Sequence, residues 1–198
     1  AGADMVEVWL GEIDNLDIPK LFAGIQMPVL ANCKDAEERG SFTGTLEEKV
    51  AILGAAAQAG AAFVDIDHAT DPKLLIKLRE DLGNAELILS AHYFAGTPGL
   101  PHLTAQLAKM QTQNPDLVKF AATPHSLKDV VTMLRLAEKL TSKGIRHITI
   151  SMGQLGKVSR VAAPVFGSEV MFATVDETAA TAPEQLSINQ LAQCYALW

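Results

Sequence analysis

"DLVKFAATPHSLKDVVTMLRLAEKLTSKGIRHITISMG", residues 116–153, decides the fold. It opens with "LVKFAAT" (117–123), an apolar run of strand length interrupted by a single charge, Lys119. The next stretch, "HSLKDVVTMLRLAEKLTSKG" (125–144), spaces its apolar residues as a helix does and stops on Lys and Gly. "HITISMG" (147–153) then reads as a second strand. A strand, a helix and a strand in succession fold with the strands parallel and the helix across one face.

The same alternation extends outward in both directions. Strand-like runs recur as "MVEVWL" (5–10), "PVLANCK" (28–34), "FVDIDHA" (63–69), "ELILSAHYF" (86–94) and "VMFATV" (170–175), giving seven in all. Helical segments lie between them. "TLEEKVAILGAAAQAGA" opens with Thr45 and carries Glu48 three residues later, a capping signal. Such a chain is α/β, either an open doubly wound sheet or a closed (β/α) barrel. No GxGxxG follows the first strand, so a dinucleotide site lacks support.

Composition bounds the function. With 198 residues, 48% of them hydrophobic, and no internal repeat, the expectation is one globular domain over 1–198. The net charge of −7 argues against a nucleic-acid or anionic-membrane surface, and a small anionic ligand would need dedicated cations. No apolar run is long enough to span a bilayer. Cys33 and Cys194 are far apart and lack a metal-ligand spacing, so a cytoplasmic location without a metal is expected.

Period-two reading separates the faces of each strand. Leu117, Lys119 and Ala121 share one side of their strand, while Val118, Phe120 and Ala122 share the other. Placing the apolar sides against helices turns Glu7, Asp65, Asp67, His92 and Lys119 inward, where barrel enzymes keep their chemistry. Lysine is rarely buried without a partner or a task.

"SAHYF" (90–94), "VKFAATP" (118–124), "SMGQLGKVSRVAAPVFGS" (151–168) and "TAPEQLS" (181–187), in this order, resemble the type I 3-dehydroquinate dehydratase family of the shikimate pathway. "ADMVEVWL" and "CKDAEERGSF" are similar to its first two motifs, and the resemblance covers nearly the whole chain. It implies a (β/α)8 (TIM) barrel and a lyase that converts 3-dehydroquinate to 3-dehydroshikimate through a lysine Schiff base, without a cofactor. Lys119, flanked by Leu117, Phe120 and Ala121, matches the nucleophile, since an apolar surround favours a neutral amine. His92 matches the base that removes a proton from the carbon beside the iminium and returns it to the departing hydroxyl. Glu38 matches the acidic residue that orients this histidine. Glu7 and Lys34 match positions that contact substrate, Arg160 the carboxylate-binding arginine, Thr181 and Gln185 the lid segment, and Phe94 and Met152 residues packed on the ring.

Several positions depart from the family pattern. The first motif reads Glu, any residue, Arg in the family, and Glu7–Val8–Trp9 here. Lys34 replaces an arginine, Arg39 and Gly40 replace a glycine pair, and Glu184 replaces a glycine. Seven strands, with "AGAD" at a point that in the family follows the first helix, suggest that the family's first β/α unit is missing from this chain. The chain is then N-terminally truncated relative to the family, leaving two strand edges that favour a homodimer. A second reading follows from Trp9 and Lys34: a binding or regulatory relative, or a Schiff-base lyase for another keto acid.

Overall fold

The computed structural model describes residues 2–175 and 185–196. The chain divides into two compact units, one of Asp4–Ser90 with Gln113–Asp116, the other of Ala91–Thr112 and Leu117–Trp198 with Ala1–Ala3.

In the first unit, β1 (Val6–Trp9), β2 (Val29–Asn32), β3 (Phe63–Asp67) and the opening of β4 (Glu86–Tyr93) pair in parallel and in chain order. Trp9 lies beside Asn32, Asn32 beside Asp65, and Asp67 beside Ser90. Residues abreast in a parallel ladder face the same side, as do residues two apart. Glu7, Trp9, Asn32, Asp65, Asp67 and Ser90 therefore line one face. The opposite face carries Val29, Ala31, Val64, Ile66, Leu87 and Leu89, all buried. It is covered by α2 (Leu46–Gln58), which packs on β2, β3 and α3 (Pro72–Asp81). The expected start of α2 is present: Glu48 N–H donates to Thr45 Oγ1 at 3.2 Å, and Thr45 N–H to Glu48 Oε2 at 2.7 Å. A short α1 (Ile18–Ala23) precedes β2, and Cys33 follows it, buried, with the thiol pushed up to about 11 chiefly by desolvation.

In the second unit the end of β4 leads to α4 (Leu100–Gln111), β5 (Leu117–Ala122), α5 (Leu127–Ser142), β6 (His147–Ser151), α6 (Gly153–Ala162) and α7 (Ile188–Tyr195). β5 and β6 are parallel, with Lys119 beside Ile148 and Phe120 beside Thr149. α5 lies along β6 and against α4 and α6, burying Val130, Met133, Leu136, Ala137 and Leu140. Asp129 Oδ2 accepts from the Ser126 and His125 N–H groups at 2.9 and 2.8 Å and fixes the start of α5.

Six of the seven expected strands form among the described residues. The seventh, 170–175, does not. After one parallel bridge between His147 and Ser168, the chain leaves the sheet. The Phe172 carbonyl, which a strand would spend on a ladder bond, accepts instead from Arg160 Nη1 at 3.0 Å. Thr174 makes its one bridge with Ser187, just before α7. Among the described residues no helix is long and apolar enough to cross a membrane.

Candidate active site

On the polar face of the first unit, Lys34 lies two residues beyond the end of β2 and is 4% exposed. Its ammonium donates to Glu38 Oε1 at 2.7 Å, Asp65 Oδ1 at 3.0 Å and Ser90 Oγ at 3.3 Å. Burial opposes its charge, yet Asp65 and Glu38 more than offset this and hold its pKa above the ordinary lysine value. A one-turn 3-10 helix (Ala36–Glu38) carries Glu38, and Asp35 caps it by accepting from the Glu37 and Glu38 N–H groups. The turn ends on Arg39 at φ 65°, a left-handed conformation that most side chains avoid. Gly40 follows because a Cβ there would overlap the Lys34 carbonyl. The family's glycine pair is thus needed at its second position, while Arg39 occupies the first.

Sequence reading did not single out Lys49. It enters from α2, 4% exposed, and donates to Asp35 Oδ2 at 2.6 Å and Glu38 Oε2 at 3.3 Å. A signal was present, since Lys49 falls on the stripe of Leu53, Ala56 and Ala57, which a helix turns inward. Asn32 was missed as well. Wholly buried, it donates from Nδ2 to Glu7 Oε1 at 2.9 Å, while its Oδ1 and the indole N–H of Trp9 beside it find no bonding partner among the described residues.

The second unit holds the lysine and the histidine. Lys119 is 5% exposed in a strand buried along its whole length, and its Nζ lies 4.6 Å from the centre of the Phe172 ring. That range suits a cation–π contact. Phe172, read from sequence as part of a strand, is therefore a member of the lysine's surroundings. Thr123 N–H donates to Tyr93 O at 3.0 Å, the pattern by which Met152 N–H bonds Ala122 O where Ala122 pairs with Ser151. Tyr93 accordingly lies beside Ala122 and His92 beside Ala121, on the face that Lys119 shares. His92 is half-buried and stacks on Phe94, with centroids 5.6 Å apart and planes 9° apart.

Arg160 ends α6 at 3% exposure. Apart from the bond to Phe172 O, its guanidinium has no carboxylate partner among the described residues, and Nε is buried without one. Desolvation lowers its pKa, which is the signature of a cation short of a counter-ion. Tyr195 of α7 donates to the Arg160 carbonyl at 2.7 Å and ties the end of α6 down. Met152, half-buried, links β6 to α6, and Gln185, half-buried, lies just before α7. Thr181, Pro183 and Glu184 lie outside the described residues.

The family model of the type I 3-dehydroquinases matches residues 1–198. The 3-dehydroquinate dehydratase of Desulfotalea psychrophila is 34% identical over 197 residues, which cover 98% of this chain and 87% of that protein. That of Methanothermobacter thermautotrophicus is 36% identical over 197 residues, covering 96% and 82%. Among solved structures, the 3-dehydroquinate dehydratase of Geobacillus kaustophilus aligns with a TM-score of 0.81 at 28% identity, over 90% of this chain and 70% of that one. The type I enzyme of Clostridium difficile, solved with covalently modified comenic acid, gives 0.90 at 23% identity over 100% and 82%, a likeness of fold. Together with the parallel strand–helix units, these place the chain in the α/β, (β/α)8-type class.

Proposed function

Because the chain belongs to the type I 3-dehydroquinase family, we propose that it dehydrates 3-dehydroquinate to 3-dehydroshikimate through a Schiff base on Lys119. The observation that carries this reading is a lysine held at 5% exposure on the inward side of β5, with an aromatic ring against its nitrogen. The substrate is a small anionic keto acid. Its carboxylate goes to Arg160, whose planar fork offers two parallel N–H donors and which has no counter-ion among the described residues.

The Lys119 amine adds to the ketone and loses water, giving an iminium that draws electrons from the neighbouring carbon. His92 takes a proton from that carbon. The electron pair moves through the enamine to expel the hydroxyl one bond further on, and His92 returns its proton to the departing oxygen. Water then releases the conjugated ketone and restores Lys119, so the net change is the loss of one water. Phe94 packs beside His92.

The test is direct. 3-Dehydroquinate is added and the ultraviolet absorbance of the conjugated product followed, then borohydride is included and the adduct mapped by mass. Product and an adduct on Lys119 are expected, with both lost in Lys119→Ala. An adduct on Lys34 or Lys128, or turnover that survives Lys119→Ala, overturns the assignment.

A further inference from the structure

Lys49 stands out as a charge in a place that stability does not ask for. Its neighbours on the inward stripe of α2 are Val50, Leu53, Ala56 and Ala57, and an apolar side chain there would bury as well without the cost of desolvating an ammonium. Instead it completes a row of alternating charges in the first unit: Asp35, Lys49, Glu38, Lys34, Asp65. Glu38 sits at the centre of that row, with one oxygen on each lysine. An ammonium has three N–H donors, and Lys34 spends its three on Glu38, Asp65 and Ser90. Lys34 therefore has no donor left for a substrate unless one of these bonds breaks.

We propose that Lys49 is a positioning residue for the dehydration: it holds Glu38 Oε2 while Lys34 holds Oε1, and the two lysines together present Glu38 as a fixed carboxylate. This rests on the proposed dehydration and on the role that the family resemblance implies for Glu38, in which it serves turnover. It also moves Lys34 from contacting substrate to framing Glu38. The two ammonium groups arrive from different elements, Lys34 from the loop after β2 and Lys49 from α2, and each restrains one oxygen of the carboxylate. The sequence already contains the requirement, because Lys34 and Glu38 lie on one loop while Lys49 comes from the helix packed behind it.

The rival is purely structural, in which Lys49 ties α2 to the 3-10 turn through Asp35. Two variants separate them. Lys49→Met removes both contacts. Asp35→Asn keeps a side-chain oxygen to cap the turn but removes the charge facing Lys49. If Lys49 acts through Glu38, Lys49→Met lowers kcat about 10- to 100-fold with KM changed less than about threefold, Lys49→Arg restores most of the rate, and Asp35→Asn stays within about threefold of the parent. Borohydride trapping at Lys119 proceeds in all three. Equal losses in Lys49→Met and Asp35→Asn, or a loss in Lys49→Met that follows only a lowered melting temperature, overturn the proposal. Full activity in Lys49→Met does the same. If Glu38→Gln turns over like the parent, the assumed role of Glu38 fails and the proposal falls with it. If the parent itself yields neither product nor adduct, the proposed function is what has failed.

Discussion

Residue by residue, the inward faces of the strands were legible in sequence, because alternation in a buried strand leaves a charge only one side to occupy. The inward placing of Lys119 and His92 came from that rule, while the roles given to them rest on the family resemblance. Lys49 and Phe172 did not: the helical stripe that turns Lys49 inward does not say which carboxylates it meets, and Phe172 reaches Lys119 across a long sequence gap. Trp9 is the sharpest departure at this scale. It stands two residues from Glu7 on the same face, with its indole N–H buried and bonded to nothing among the described residues. Such an orphan donor costs about 1–3 kcal/mol, so the indole is held there by its ring. Trp9→Arg places a guanidinium within reach of the Glu7 and Asn32 row, and a charge-assisted bond to a substrate hydroxyl is worth about 1.5–3 kcal/mol. Efficiency on 3-dehydroquinate is then expected to rise about ten- to hundredfold, read as kcat/KM. Unchanged or lower efficiency in a folded Trp9→Arg would mean that the indole itself serves the substrate.

At the scale of elements, six strands were read to within two residues of their bounds, since each is a short apolar run between turn signals. The seventh failed because an apolar run does not say where its carbonyls go, and Arg160 takes one of them. A second polar arrangement, invisible to pattern reading, joins α5 to β6. His147, 1% exposed at the start of β6, has Thr141 Oγ1 3.0 Å from Nε2 and Thr149 Oγ1 2.9 Å from Nδ1. The Thr141 hydroxyl donates to Phe166 O, so it accepts from Nε2–H, and Thr149 donates to Nδ1. That tautomer is neutral, and burial holds the pKa of His147 below the ordinary histidine value. With the folded pKa depressed, both states are neutral above about pH 6.5, and the unfolded chain alone takes up the proton as pH falls below it. Stability should therefore be full near pH 7.5 and fall toward pH 5.5, with this residue contributing a slope of at most about 1.4 kcal/mol per pH unit. Urea melts at the two values should show it, and His147→Gln should flatten the difference at some cost in stability at pH 7.5. An equal pH dependence in that variant would assign the loss to other groups.

For the whole molecule, the class of fold was readable because strand and helix alternate along most of the chain, whereas the division into two compact units was not, since β4 runs through the boundary at Ser90 and Ala91 without any break in its pattern. Each unit happens to contain one cysteine: Cys33 behind β2 in the first, Cys194 on α7 in the second. The sulfur of Cys33 is both sealed from solvent and reluctant to become the thiolate that alkylating reagents require. Alkylation of Cys33 in the native state therefore has to wait for its surroundings to open, while the half-buried Cys194 is within easier reach. A timed iodoacetamide reaction read by peptide mass should give a slow rate at Cys33 and a faster one at Cys194, and mild denaturant should accelerate the slow one far more. Comparable rates for the two would show that β2 opens as readily as the last helix. The buried thiol thus doubles as a clock for local unfolding, already installed and needing no engineered label.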